Sequence, residues 1–170
     1  YSQELAKRLD IKKIESCRYL SLIGAYRLAR VIREQKDIVH LPNQNFARYA
    51  LFLKTPFIVT VHDLVRFCFA FDRETIAERM LLKLDVRYIK RASHIIAVSQ
   101  KTRSDLIKYL KIPDDKISVV YNGVDHSIFK PYNVRPFDRP YILYVGSERP
   151  RKNLGRLFEA FAKLKTEFPE

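Results

Sequence analysis

Short apolar runs separated by longer amphipathic stretches make up most of this chain. Four of the runs lie at 37–41, 57–61, 95–98 and 117–120, and each ends close to a proline or a polar residue. They are rich in β-branched and aromatic residues, which favour strands. The apolar part of 93–99 is continuous rather than alternating, as is typical of a parallel sheet covered on both faces. We therefore predict that these four runs are parallel neighbours in one sheet.

Between these runs the apolar spacing changes to that of helices. In 73–91 apolar residues recur every four positions, and in 22–35 and 154–164 they follow one helix face. Ser99 is placed to cap a helix over 100–110. The alternation of strands and helices predicts an α/β fold with a Rossmann-like, doubly wound parallel sheet.

The organisation into domains follows from a proline-rich stretch. Residues 131–140 contain three prolines and no periodic apolar pattern, which predicts a linker. Beyond it, Tyr141–Val145 predicts a strand that leads through a turn into the last helix. We predict part of one domain at 1–130, the linker at 131–140, and the first strand and helix of another domain at 141–170. The chain starts without Met and stops after a helical pattern, so we expect truncation at both ends.

The charge predicts an anionic partner. The formal net charge is +13, from 32 Lys and Arg against 19 Asp and Glu. Nucleic acid, an anionic membrane surface and a phosphate-bearing substrate all suit this sign. The sequence has no helix-turn-helix, zinc or RNP pattern, which disfavours nucleic acid.

No apolar run approaches the ~20 residues that cross a bilayer, so we expect a cytoplasmic protein with at most peripheral contact at the inner membrane face. The cysteines, Cys17 and Cys68, lack metal-ligand spacing, and we expect no metal site.

Three sets of residues could carry chemistry, and one of them, Asn122-Gly123-Val124-Asp125 after a predicted strand, is by itself only a turn signature. Arg149, Arg151 and Lys152 occupy the predicted turn before the last helix, where backbone N–H groups and the helix dipole favour an anion such as phosphate. A solvated basic loop would explain them equally well. His62 follows the carboxyl end of a predicted strand, where open α/β sheets bind ligands. A hydrogen-bonded structural histidine is the equal alternative.

Taken together and in this order, three segments resemble a known family. The segments are TPFIVTVHDL, SHIIAVSQ through KISVVYNGVD, and YILYVGSERPRKNL. They are similar to the retaining glycosyltransferases of family 4, which have the GT-B fold, and the resemblance covers roughly residues 36–168. It implies two Rossmann-like domains, an acceptor domain and a domain that binds a GDP- or UDP-sugar donor without a metal or other cofactor. It also implies retaining transfer, such as mannosyl transfer, to a lipid-linked or polysaccharide acceptor in cell-surface polysaccharide biosynthesis, with no nucleic acid partner.

The resemblance also implies roles for individual residues. Lys152 matches the family's lysine on the donor diphosphate, where its charge would compensate that of the leaving group. Ser147 stands where many members have an arginine, and Arg149 or Arg151 is expected to substitute for it. His62 matches a cleft histidine that positions a sugar hydroxyl or donates a hydrogen bond to developing charge. The remaining matches are residues expected to line the cleft: Ser99, Asn122, Gly123, Gly146 and Ser147.

Two departures from the family pattern shape the expected activity. The glycine-rich loop that follows the family's first strand is absent, and the glutamate pair of the donor domain would lie beyond Glu170. We therefore expect the chain alone to be inactive. Two other hypotheses stay open: a non-catalytic relative that binds a sugar phosphate, favoured by Ser147, and a basic nucleic-acid-binding module, favoured by the charge.

Overall fold

The computed structural model of the protein describes residues 30–31, 33, 37–68, 75–131, 141–148 and 152–168. The chain divides into two compact units, 1–125 and 126–170. The division falls shortly before the predicted linker at 131–140. The assignment of 1–130 and 141–170 to an acceptor and a donor domain stays a prediction.

A parallel sheet forms the centre of the first unit. Its four strands, in spatial order, are β1 (Val39–Leu41), β2 (Phe57–Val61), β3 (His94–Ala97) and β4 (Ile117–Val119). Each strand pairs with the next in parallel, which confirms the four predicted neighbours and the Rossmann-like α/β class. The order runs in one direction, so the reversal that defines double winding does not occur among the described strands.

Helices follow the strands where the apolar spacing predicts them. The α-helices are α1 (Val65–Cys68), α2 (Ile76–Arg91), α3 (Gln100–Leu110) and, in the second unit, α4 (Leu154–Glu167). Gln44–Phe52 forms a 3-10 helix, and Asp114–Lys116 forms a shorter one. The predicted helix at 22–35 falls mostly outside the described residues. Among the helices that the structure describes, none is long and apolar enough to cross a membrane.

Side-chain caps define where two of these helices begin. The Thr75 hydroxyl accepts from the Glu78 backbone N–H at 3.2 Å, and the Glu78 carboxylate accepts from the Thr75 N–H at 2.8 Å, so α2 starts with a capping box. The Ser99 hydroxyl accepts from the Thr102 N–H at 3.0 Å, which confirms the predicted cap of α3.

The core of the first unit lies along one row of the sheet. Leu41, Val59, Ile95 and Ile117 are register partners across all four strands, and all are buried. Continuous apolar rows of this kind are what a parallel sheet presents to the helices that cover it.

An ion pair inside the unit joins the 3-10 helix to α2. The Asp85 side chain is fully buried and accepts from the backbone N–H and the Nε of Arg48, both at 2.9 Å, and from Nη2. Burial raises the pKa of the Asp85 carboxyl, and the bonds from Arg48 offset part of this rise. The pair therefore holds a carboxylate where solvent cannot reach it.

The second unit departs from prediction at one point. The structure assigns no strand to Tyr141–Val145, which was predicted to be one. A strand is stabilised by hydrogen bonds to a neighbouring strand, and no described segment pairs with this run. All five of its residues are exposed. The helix predicted after it is present as α4.

In the first unit, a hydrogen bond between two side chains joins β1 to β2. His40 Nε2 lies 2.8 Å from the Thr60 hydroxyl, and burial lowers the pKa of His40 from its ordinary 6.5. Because the unfolded chain takes up a proton near pH 6.5 and the folded chain does so only at lower pH, stability should fall as the pH drops below 6.5.

We expect His40→Asn to remove this part of the pH dependence. Urea unfolding at pH 7.5 and at successive values down to pH 5 measures it, and the wild type should lose up to about 1.4 kcal/mol more per pH unit than the variant inside the window. Equal pH slopes in the two proteins would contradict the assignment to His40.

Candidate functional site

Four of the predicted site residues follow the carboxyl ends of parallel strands. His62 directly follows β2, Ser99 lies shortly after β3, and Asn122 and Gly123 follow β4. Because the strands are parallel neighbours, these ends form one edge of the sheet, which we call the carboxyl rim. In open parallel sheets ligands bind outside this edge. The structure thus brings the strand ends together as predicted, whereas the functional roles stay predictions.

Hydrogen bonds fix His62 from three directions. Its backbone N–H donates to Gln44 Oε1 at 3.0 Å, and its carbonyl accepts from the Thr102 hydroxyl at 3.2 Å. Its ring Nε2 lies 3.0 Å from the Pro42 carbonyl oxygen. A carbonyl oxygen only accepts, so Nε2 carries the proton in this bond. His62 is therefore fixed in both backbone and ring, and it is only partly buried.

Gln44 is a site residue that sequence reasoning missed. Its side chain is 5% exposed, and it bonds two backbone groups of the loop after β2. Oε1 accepts from the His62 N–H, and Nε2 donates to the Asp63 carbonyl, each at 3.0 Å. Its neighbour Asn43 caps the 3-10 helix by accepting from the Asn45 N–H at 2.9 Å. The polar letters NQN after Pro42 indicate only a turn, and nothing in them points to a residue 18 positions away.

The Ser99 hydroxyl is hydrogen-bonded to Thr102, which in turn is hydrogen-bonded to His62. It accepts from the Thr102 N–H and lies 2.9 Å from Thr102 Oγ1. Since the single Thr102 hydroxyl proton goes to the His62 carbonyl, Ser99 must supply the proton between the two hydroxyls. Ser99 therefore contributes to the rim through Thr102, which is buried.

The loop after β4 is open. Asn122 and Gly123 are exposed, and a side chain at Gly123 would meet no atom within 4 Å. The structure therefore gives no steric reason for glycine at this position.

Of the three basic residues predicted in the turn before α4, the structure describes Lys152, which lies at the start of that helix. Lys152 is exposed and precedes Asn153, which adopts a left-handed conformation with φ 53° and makes no side-chain cap. A helix N-terminus without a side-chain cap leaves backbone N–H groups available to an anion. Arg149 and Arg151 lie outside the described residues.

Gly146 and Ser147 belong to a turn covered by an aromatic ring. The Tyr144 hydroxyl donates to the Ser147 carbonyl at 3.0 Å. A Cβ on Gly146 would lie 2.6 Å from that hydroxyl, so glycine lets the Tyr144 ring lie over the turn. Within the part of the chain that is described, no cluster of three or more His, Cys, Asp or Glu could hold a metal.

Comparison with known proteins assigns the first unit to a family. Residues 8–128 match the family model described as Glycosyltransferase Family 4. The chain belongs to glycosyltransferase family 4. This membership confirms the resemblance seen in the sequence, and it accounts for the parallel sheet with its carboxyl rim.

A curated relative shares part of this sequence. The O-antigen chain mannosyltransferase RfbU of Salmonella typhimurium is 33% identical over 97 residues, which are 56% of this chain. The match covers 26% of that protein, so the chain spans about a quarter of the length of this relative.

Proposed function

We propose that the protein that contains this chain is a glycosyltransferase. It transfers a hexosyl residue, such as mannose, from a GDP- or UDP-sugar to a lipid-linked or polysaccharide acceptor with retention of configuration. The observation that carries the proposal is the match of residues 8–128 to family 4, together with a histidine fixed at the carboxyl rim. The relative named a mannosyltransferase supports the choice of sugar.

In this proposal the two units contribute different groups. His62 of the first unit contacts the transferred sugar, and Asn122 and Gly123 lie along the same rim. In the second unit Lys152 and the N–H groups of the first turn of α4 bind the donor diphosphate and stabilise its growing charge. Arg149 and Arg151 are proposed to assist. The donor is a substrate, and the proposal requires no metal or cofactor.

The sequence before Lys152 supports a second candidate function, binding of a sugar phosphate without transfer. Ser147 stands where many family members have an arginine, and residues 141–148 contain no Lys or Arg. A relative that binds a sugar phosphate without transferring it would tolerate this loss. Nucleic acid binding has no comparable support, because the family match explains the fold without it.

We also propose peripheral contact with the anionic inner face of a membrane. The charge of +13 supports it, as do Lys83, Arg87 and Lys90, which line one groove on α2 together with Met80. Basic side chains near an anionic surface each contribute about 1 kcal/mol of attraction.

Transfer, product-analysis and sedimentation measurements on the complete enzyme test these proposals. The complete enzyme, supplied with labelled GDP- and UDP-sugars and a lipid-linked acceptor, should transfer one sugar, and NMR of the product should show the anomeric configuration of the donor. Phosphatidylglycerol vesicles should raise the rate and sediment the protein, whereas phosphatidylcholine vesicles should not.

Transfer measurements combined with binding measurements for donor and nucleic acid have outcomes that contradict the proposals. Donor binding without transfer would favour the non-catalytic relative, and binding of RNA or DNA without donor binding would favour the basic module. Chain 1–170 alone should neither transfer sugar nor bind donor more tightly than about 1 mM, roughly −4 kcal/mol. Turnover by that chain would contradict the expectation that it needs a further donor region.

A further inference from the structure

We propose that Gln44 is a positioning residue that, with the Pro42 carbonyl, presents His62 Nδ1 as a hydrogen-bond acceptor for a sugar hydroxyl. The choice of a sugar rests on the proposed function, whereas the positioning rests on the hydrogen bonds around His62. Those bonds come from two segments of the first unit: Pro42 and Gln44 follow β1, and Thr102 lies in the first turn of α3.

The direction of the ring bond decides what His62 can do. Nε2 carries its proton toward the Pro42 carbonyl, 3.0 Å away. In the neutral ring the proton on Nε2 leaves a lone pair on Nδ1, so Nδ1 accepts hydrogen bonds and cannot donate them. Among the described residues none is bonded to Nδ1. A neutral His62 can therefore orient a hydroxyl by accepting a hydrogen bond from it at Nδ1, and the expected alternative, donation to developing charge from that atom, would require a protonated ring.

The backbone around His62 shows why Gln44 is needed. The parallel ladder between β2 and β3 ends with the bond from the Val98 N–H to the Val61 carbonyl at 3.3 Å. Beyond that point side chains replace the neighbouring strands. Gln44 bonds the His62 N–H and the Asp63 carbonyl on the β1 side, and Thr102 bonds the His62 carbonyl on the β3 side. Unpaired backbone groups are costly away from water, so these two side chains fix the loop that carries the ring.

The two bonds of Gln44 require an amide and not merely a polar side chain. One atom must accept from the His62 N–H while the other donates to the Asp63 carbonyl. Glutamate has nearly the same shape, but its carboxylate only accepts, and it would place an oxygen against the Asp63 carbonyl. Gln44→Glu therefore replaces one hydrogen bond by a contact between two acceptors and adds a charge, while the side chain keeps nearly the same shape.

NMR of the ¹⁵N-labelled chain tests the positioning without any turnover. At pH 8 the wild type should show a His62 Nε2–H proton resonance, because a bond to a carbonyl slows exchange of that proton with water. Gln44→Glu and Thr102→Val should lose this resonance. Gln100→Glu makes the same substitution at an exposed site and should retain it.

Kinetics of the complete enzyme test the consequence for sugar transfer. Gln44→Glu should lower kcat by about tenfold to a hundredfold, because small displacements of a positioning group are costly, and should leave donor Kd unchanged. A His62 proton on Nδ1 would overturn the proposal, as would retained kcat and resonance in Gln44→Glu with only a lower Tm. If Gln44→Glu does not fold, Gln44→Met, which removes both bonds without adding a charge, should lose the resonance, and its retention would overturn the proposal. Failure of the wild type to transfer any sugar would overturn the proposed function, whereas the NMR result would still decide the positioning.

Discussion

Lys152→Ala should lower kcat of the complete enzyme a few hundredfold and change KM for the donor much less. Charge builds on the leaving diphosphate as the glycosidic bond breaks, so a lysine that binds it contributes most in the transition state. Removing one such preorganised contact commonly costs ~3–4 kcal/mol. The position of Lys152 before a helix without a side-chain cap places its charge beside N–H groups that favour the same anion. Steady-state kinetics over a range of donor concentrations measures the effect.

Lys163→Ala is the matched control, since Lys163 is exposed on the same helix. It should leave turnover unchanged. His62→Ala should also lose rate but retain affinity for free nucleotide diphosphate, because it acts on the sugar. Wild-type turnover in Lys152→Ala, combined with weakened nucleotide binding in His62→Ala, would show that the two roles are assigned wrongly.

Arg48→Ala should destabilise the first unit by about 3–5 kcal/mol at pH 7. It removes both side-chain bonds from Arg48 to the fully buried Asp85 carboxylate, which keeps the bond from the backbone N–H of residue 48 and the electrostatic influence of Arg66. Breaking a buried pair from one side costs this much because the remaining charge is neither solvated nor compensated. Burial already raises the pKa of Asp85, so the variant should recover part of the loss as the pH falls and the carboxyl protonates. Urea unfolding at pH 7 and pH 5 measures both effects.

Arg103→Ala provides the comparison for this variant. Arg103 and Asp114 form a pair of the same two-point geometry, but the Asp114 side chain is 54% exposed while that of Asp85 is fully buried. Exposed pairs contribute 0 to about 1 kcal/mol, so Arg103→Ala should cost little. Equal losses in the two variants would mean that burial does not control the energy of these pairs.

The strands of the first unit were predictable because they are short apolar runs with clear ends. VHL stops at Pro42, and FIVTV lies between Pro56 and His62. Parallel pairing was also predictable, since the amphipathic stretches between the runs are long enough for crossover helices. The predicted strand at 141–145 has a similar composition, but composition does not supply the neighbour with which a strand must pair. The predicted strands are therefore confirmed in the first unit, where each has a neighbouring strand, and the prediction for 141–145 is wrong.

The long-range hydrogen-bond partners of the site residues could not be predicted from the spacing of residues in the sequence. Ser99 as a cap was predictable because its partner, Thr102, lies three residues away on a predicted helix. Gln44 reaches His62 across 18 positions, and Arg48 reaches Asp85 across 37. Both contacts depend on how the 3-10 helix lies against the sheet and α2. No periodic pattern in the sequence predicts how the 3-10 helix packs.

The order of the strands bears on how the sheet is assembled. Among the described strands, each pairs with the strand next to it in sequence, so no pair in that set requires a segment that follows the next crossover. Closing each crossover costs entropy that grows only with the logarithm of its length. On a ribosome, which releases the chain from its N-terminus, β1 and the 3-10 helix emerge before β2. Gln44 is thus already available when His62 leaves the exit tunnel, and Thr102 completes its hydrogen bonds one crossover later.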